Sequence, residues 1–280
     1  MFPGRLMGWI ALMTLAVVPV GRAAIGAAST VSAEPVRRID LAPDLYLRQI
    51  GDGAYVIVHV SPWAANSLLV EMNDGTLVLA GSPYTPEAMR IVLAWAGRQF
   101  GKRSFVAVNT GYHVDNLGGN QALREAGIPV YGSDLTVRLL QERGEITRKK
   151  TLKLINGPDS PFYLAHAGQK FSPPDHLFPI RDGLKLRFGG EEVQVFFPGA
   201  SQAPDKVVVY FPGRRLLFGS CMILSGDRPG NTADADLRQW PIAVRKLLQF
   251  PVDIVVPGHG DRLDPGLIQH TLDLLAARQP

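Results

Sequence analysis

One cysteine, Cys221, in a chain of 280 residues excludes an internal disulfide. No low-complexity tract or repeated segment is present, and hydrophobic residues make up 46% of the chain, enough to bury a large core and to exclude disorder. An excess of one charge is also lacking: 29 Lys and Arg stand against 25 Asp and Glu. That balance carries no nucleic-acid footprint. The one basic cluster, Arg148-Lys149-Lys150 with Lys153, has no interleaved aromatics and reads as a solvated face. The uncharged apolar run from Met7 to Val20 falls short of the roughly 20 residues a membrane span needs. It follows Arg5 and precedes small residues, the pattern of a secretory signal peptide. Val31-Ser32-Ala33 before Glu34-Pro35 offers a cleavage site, with Gly26-Ala27-Ala28 as a competitor. The expectation is therefore a leader over residues 1–33, one domain over 34–280, no membrane span after processing, and a periplasmic or secreted protein. Arg5 and Arg22 would leave with the leader, so 27 basic residues would face 25 acidic ones. Oxidising surroundings pair thiols, so a lone Cys221 there is either buried and inert or taken up by a metal.

What is present is a series of short apolar strands divided by turns. Leu45 to Gln49, Ala54 to Val60, Ser67 to Met72 and Thr76 to Leu79 read as an antiparallel meander, the last two joined at Asn73-Asp74-Gly75. Thr85 is placed to cap a helix with Pro86 at its first position and Met89, Val92, Leu93 and Ala96 on one face, closed by Gly101. Strand Ser104 to Val108 then leads into Asn109-Thr110-Gly111-Tyr112-His113-Val114-Asp115-Asn116, with a helix from Gly119 to Ala126. Strand Pro129 to Tyr131 and a helix opened by Ser133 or Asp134 follow. The Pro-rich stretch from Gly144 to Pro179 reads as a surface wrap.

The second half repeats this order: Leu184 to Phe188 and Val193 to Phe197 around a Gly189-Gly190 turn, then Val207 to Tyr210 and Leu216 to Phe218. Pro241 is read as opening a helix over Ile242 to Phe250, and strand Asp253 to Val256 precedes Pro257-Gly258-His259-Gly260. A final helix carries Ile268, Thr271, Leu272 and Leu275. The fold class expected is α+β or α/β, a sandwich of two mixed sheets with helices on the outer faces.

Three of these strands end in loops with potential ligands: His113 and Asp115, Cys221, and His259. Carboxylate, thiolate and imidazole together suit zinc, and three protein ligands leave a fourth position for chemistry. Each residue also has a plainer reading, since Asp115 could cap a helix and Cys221 could be a small buried hydrophobe. Spacing alone leaves both open.

From Tyr55 to about Leu275 the sequence resembles the class B metallo-β-lactamases in the content and order of its motifs. Asn109 to Asn120 is similar to the family's first metal loop, Gly199-Ala200-Ser201-Gln202-Ala203-Pro204-Asp205 to its second, Gly219-Ser220-Cys221 to its third and Pro257-Gly258-His259 to its fourth. Gly230 to Leu237, followed by Trp240-Pro241, resembles its substrate loop and the helix after it. The resemblance implies a four-layer αβ/βα sandwich and one zinc ion on Asp115, Cys221 and His259, closest to the one-zinc, carbapenem-selective subclass. The implied first metal site is reduced: Gly111 and Gln202 stand where relatives carry ligands, and only His113 remains. The short segment Pro62 to Leu69, with Trp63, is similar to the compact loop of the one-zinc subclass.

The implied activity is hydrolysis of a β-lactam, a small-molecule substrate; the sequence does not fix an oligomeric state, and a monomer is the expectation. His113 would be general base, Asp115 and Gln202 would orient the water, and Asn231 would face the carbonyl oxygen. Met222-Ile223-Leu224 offers no cation for the substrate carboxylate, which leaves Arg228. Gly81 falls where relatives carry a buried Asp bracing the metal loops. An ester, lactone or thioester hydrolase on the same fold, and an exported zinc- or ligand-binding protein without turnover, are the alternatives.

Overall fold

The computed structural model describes Met1 and residues 36–277, so the expected leader and its cleavage site lie outside the described residues. Among the described residues no helix is long and apolar enough to cross a membrane.

The first sheet runs in chain order through β1 (Arg37–Ala42), β2 (Leu45–Gly51), β3 (Ala54–Val60), β4 (Ala64–Glu71), β5 (Leu77–Ala80), β6 (Phe105–Val108), β7 (Val130–Ser133) and β8 (His176–Phe178). It is antiparallel to β5 and parallel from there to β8. The turn between β4 and β5 is held by Thr76 N–H donating to Asp74 Oδ1 at 2.9 Å, with Gly75 at φ 80°. The second sheet holds β9 (Leu184–Phe188), β10 (Glu191–Phe196), β11 (Val208–Phe211), β12 (Leu216–Ser220) and β13 (Ile254–Pro257), in the order β13-β12-β11-β10-β9. Only its β12–β13 pair is parallel.

Alternation along the strands divides the core. Val56, Leu68, Val78 and Val108 of the first sheet meet Val195, Val209, Phe211, Phe218 and Val256 of the second. Their outward neighbours Ile57, Leu69 and Leu79 pack under α1 (Pro86–Phe100) through Met89, Val92 and Trp95. Helix α1 starts as its sequence dictates, with the Thr85 hydroxyl accepting from Ala88 N–H and Gly101 closing it at φ 71°. After β6 come α2 (Val114–Leu117) and α3 (Asn120–Glu125), then α4 (Asp134–Leu154) and α5 (Tyr163–Ala167). On the far face, α6 (Gln239–Arg245) and α7 (Leu267–Ala276) cover Tyr210, Leu217 and Val255 with Trp240, Val244, Ile268 and Leu272. The result is the expected helix, sheet, sheet, helix sandwich.

Two expectations are corrected. The stretch after Gly144 is a surface wrap only from Ile155 onward: α4 continues to Leu154, because Gly144 is buried with Leu140 and Phe171 close by, and packing outweighs glycine's poor helix propensity. The helix expected from Ile242 begins at Gln239, two residues before Pro241, and gives way at Lys246 to a 3-10 turn through Gln249. Pro241 still lies in the first turn, where no N–H is required.

Candidate metal centre

Every loop that carries a candidate ligand leaves the same edge of the sandwich. Asp115 follows β6, Cys221 follows β12 and His259 follows β13, so one residue comes from the first sheet and two from the second. The irregular register between Phe218 and Ser220, with Ser220 at φ 50°, turns Cys221 out of its strand. Gly258 then passes so close behind that a Cβ there would lie 2.5 Å from the Cys221 nitrogen.

The three ligand atoms form a small triangle. Cys221 Sγ lies 3.1 Å from Asp115 Oδ2 and 3.7 Å from His259 Nε2, and that nitrogen lies 3.2 Å from the same Asp115 oxygen. Tetrahedral zinc, with ligands at about 2.0–2.3 Å, separates neighbouring donors by roughly 3.3–3.7 Å, so carboxylate, sulfur and imidazole here fit that ion with a fourth position free. His259 keeps a ring edge open to the cavity while Nδ1–H donates to Ala64 O at 2.7 Å, which turns Nε2 toward the other two ligands. Desolvation opposes charge on this ring, but hydrogen bonds to Asp115 and Cys221 outweigh it and raise its pKa well above the usual value. Desolvation likewise opposes ionisation of Asp115, yet the His259 hydrogen bond and the Lys206 charge hold its carboxyl well below the ordinary range.

A buried amide network fixes this triangle. Asn116 donates to Asp115 Oδ1 at 2.6 Å and accepts from the Thr110 and Ser220 hydroxyls at 2.6 and 2.7 Å. Asn66 donates to Pro257 O and Gly260 O at 3.0 and 2.8 Å, clamping the His259 turn. Neither amide is signalled by spacing, although Asn116 directly follows a candidate ligand. Gly81, at φ 72°, has no side chain to brace the metal loops, and a Cβ built there would lie 3.4 Å from the Phe218 ring.

Above the triangle opens a cavity of about 710 Å³, bordered by Trp63, His113, Gln202, Arg228 and Asn231 together with the three ligand residues. The structure thus brings all the expected site residues to one place except Gly111, which does not line the cavity and lies against Lys206. Trp63 is 47% exposed at the rim. His113 Nε2 is 3.1 Å from Asp234 Oδ2, an oxygen that also accepts from the Tyr112 hydroxyl at 2.8 Å. The His113 bond is the main cause holding the Asp234 carboxyl well below its usual range. Gln202 donates through Nε2 to Asn231 O at 3.2 Å, leaving its buried Oε1 without a partner among the described residues. Asn231 Oδ1 accepts from Ala233 N–H at 3.1 Å, which leaves the amide nitrogen for the cavity.

The basic cluster is solvated as expected, with Lys149, Lys150 and Lys153 exposed, but Lys150 also borders the cavity, because the full length of α4 carries Thr147, Lys150 and Leu154 along one wall.

A sequence profile described as the metallo-beta-lactamase superfamily matches residues 60–259. The metallo-beta-lactamase type 2 of Bacillus cereus is 29% identical over 215 residues, spanning 75% of this chain and 73% of that protein. The protein of that name from Bacteroides fragilis is 25% identical over 249 residues, 85% of this chain and 88% of its own. Among solved structures, a metallo-beta-lactamase from Pontibacter korlensis superposes with a TM-score of 0.64 at 28% identity, covering 88% of this chain and all of that one. The DIM-1 metallo-beta-lactamase superposes at 0.69 with 23% identity over 85% of this chain and 99% of its own, a likeness of fold.

Proposed function

The chain belongs to the metallo-beta-lactamase superfamily, and from that premise we propose that it is a zinc-dependent hydrolase opening the amide of β-lactams, carbapenems in particular, with one ion on Asp115, Cys221 and His259. The observation that carries this reading is the triangle itself, whose ligand atoms all lie within 4.8 Å of one another. Bound zinc supplies Lewis acidity to the lactam nitrogen as its bond to carbon breaks.

The remaining work falls to the chain. An ionised Asp234 accepting from His113 Nε2–H leaves Nδ1 as the basic nitrogen. Water gives its proton to Nδ1 while its oxygen bonds to the lactam carbonyl carbon. The electrons of the broken C–N bond stay on nitrogen, which takes up the proton His113 has held. Gln202 Oε1 accepts a hydrogen bond from that water, and Asp115 helps to orient it. The Asn231 amide nitrogen donates toward the carbonyl oxygen where negative charge develops. Arg228 and Lys150 both border the cavity and supply cations for a substrate carboxylate, while Trp63, Leu154, Ile223 and Leu224 form an apolar wall. The proposed place of action, the periplasm or the exterior, rests on the leader expected over residues 1–33.

The test is zinc content per chain combined with hydrolysis of a penicillin, a cephalosporin, a carbapenem and a simple lactone, for the wild type and Cys221→Ser. One zinc per chain, lost in Cys221→Ser together with carbapenem turnover, is the expected result. Zinc retained in Cys221→Ser refutes the ligand set. Zinc without turnover of any substrate leaves an exported zinc-binding relative, and turnover of the lactone alone moves the substrate class.

A further inference from the structure

We propose that the Lys206 side chain takes the place of a first-site metal ion, so that a positive charge built into the chain keeps a second divalent ion out. The inference rests on the one-ion reading above and concerns what enforces it.

Lys206 follows Asp205 in the loop between β10 and β11 and is fully buried, yet its Nζ has no hydrogen-bond partner among the described residues. A buried cation without partners is costly, so this is no ordinary structural lysine. Its position is fixed by the backbone, because Val207 N–H donates to Thr110 O at 3.1 Å and ties its loop to the one carrying Gly111. A Cβ built on Gly111 would lie 3.0 Å from both Cδ and Nζ of Lys206 and 3.2 Å from its Cε. The end of the lysine therefore fills the space that a ligand side chain at position 111 would need.

The other groups of that reduced site are also committed. His113 Nε2 is bonded to Asp234 and the Gln202 amide nitrogen to Asn231, which leaves one amide oxygen and one ring nitrogen for an ion. Burial raises the Asp205 carboxyl and opposes ionisation of Asp115, and the Lys206 charge works against that desolvation at both. A second dication would have to displace or neutralise that charge while gaining two weak ligands. If Lys206 served only as a counterion to buried Asp205, replacing it would cost stability and leave zinc binding unchanged.

The experiment is zinc capacity and affinity of the full chain, read by competition with a chromophoric chelator and by elemental analysis. Lys206→Met should bind its single ion about tenfold or more tighter, since a nearby like charge no longer opposes it. Gly111→His with Gln202→His should still hold one ion while Lys206 is present, and adding Lys206→Asn should raise capacity to two. Two ions in the wild type or in the double variant overturn the inference, as does one ion in the folded triple variant. If the triple variant does not fold, the Lys206→Met affinity decides alone, and a value equal to wild type overturns it. Loss of the wild-type ion in Cys221→Ser keeps the one-ion reading standing separately, so either idea can fail without the other.

Discussion

Removing the Asn116 side chain should loosen the candidate metal centre more than its distance from the cavity suggests. The residue is 1% exposed and makes three short hydrogen bonds, one to Asp115 Oδ1 at 2.6 Å and two accepted from Thr110 and Ser220 at 2.6 and 2.7 Å. In Asn116→Ala the two hydroxyls keep each other at 3.0 Å, so neither is left unpaired. Asp115 Oδ1, in contrast, loses the donor that turns Oδ2 toward Cys221 and His259. Loss of such an outer partner lowers metal affinity about 10 to 100-fold, or roughly 1.4 to 2.7 kcal/mol at 1.4 kcal/mol per tenfold. The metal-free chain should lose a further 1–3 kcal/mol or so of stability from buried hydrogen bonds. Chelator competition measures the first quantity and urea unfolding without zinc the second. A zinc affinity within twofold of wild type, beside a clear loss of stability, would show that Asn116 braces the fold and not the ligand.

His59 is buried beside Tyr84 N–H, and desolvation is the main cause lowering its pKa to about 4. Its folded value lies below the unfolded one of about 6.5, so the unfolded chain takes up the proton first as pH falls, which removes about 2 kcal/mol of stability between pH 7 and 5. His59→Gln should flatten that part of the urea-unfolding profile relative to wild type, and an identical slope in both would refute the assignment. Gly258→Ala puts a Cβ 2.5 Å from the Cys221 nitrogen and 2.6 Å from Ser220 C. It should cost about 1–3 kcal/mol by overpacking and weaken zinc, as chelator competition would show. Lys150→Ala and Arg228→Ala should each raise KM for a carboxylate-bearing β-lactam with little effect on kcat, and the double variant should raise it further. Unchanged KM in all three would remove the clamp.

Much of this arrangement could be read from residue order. The turn residues Asn73-Asp74-Gly75 and Gly189-Gly190, the Thr85-Pro86 cap and the apolar runs of β3 and β11 each act over a few neighbours, so they are legible locally. Edge strands β1 and β8 escaped because half of Arg37–Ala42 is charged and His176–Phe178 is too short to show a period. The extent of α4 was hidden by Gly144, whose packing with Phe171 is a tertiary fact. The pairing of His113 with Asp234 joins residues 121 positions apart. The burial of Lys206 against Gly111 depends on two loops meeting. Neither leaves a trace in spacing, whereas the ligand residues stand out as candidates because each lies shortly after an apolar strand, and the resemblance of those loops singles them out.

With Asp115 on one sheet and Cys221 and His259 on the other, an ion held as proposed would bridge the two layers in a chain whose lone cysteine rules out a covalent cross-link. A disulfide fastens permanently, but a ligand that binds only the native state stabilises it by about 2.7 kcal/mol at a hundred times its Kd and by progressively less below that. The endurance of this fold would then follow the supply of free zinc around it, and a chelator strong enough to take the ion would empty the centre and shorten the life of the folded chain at the same time.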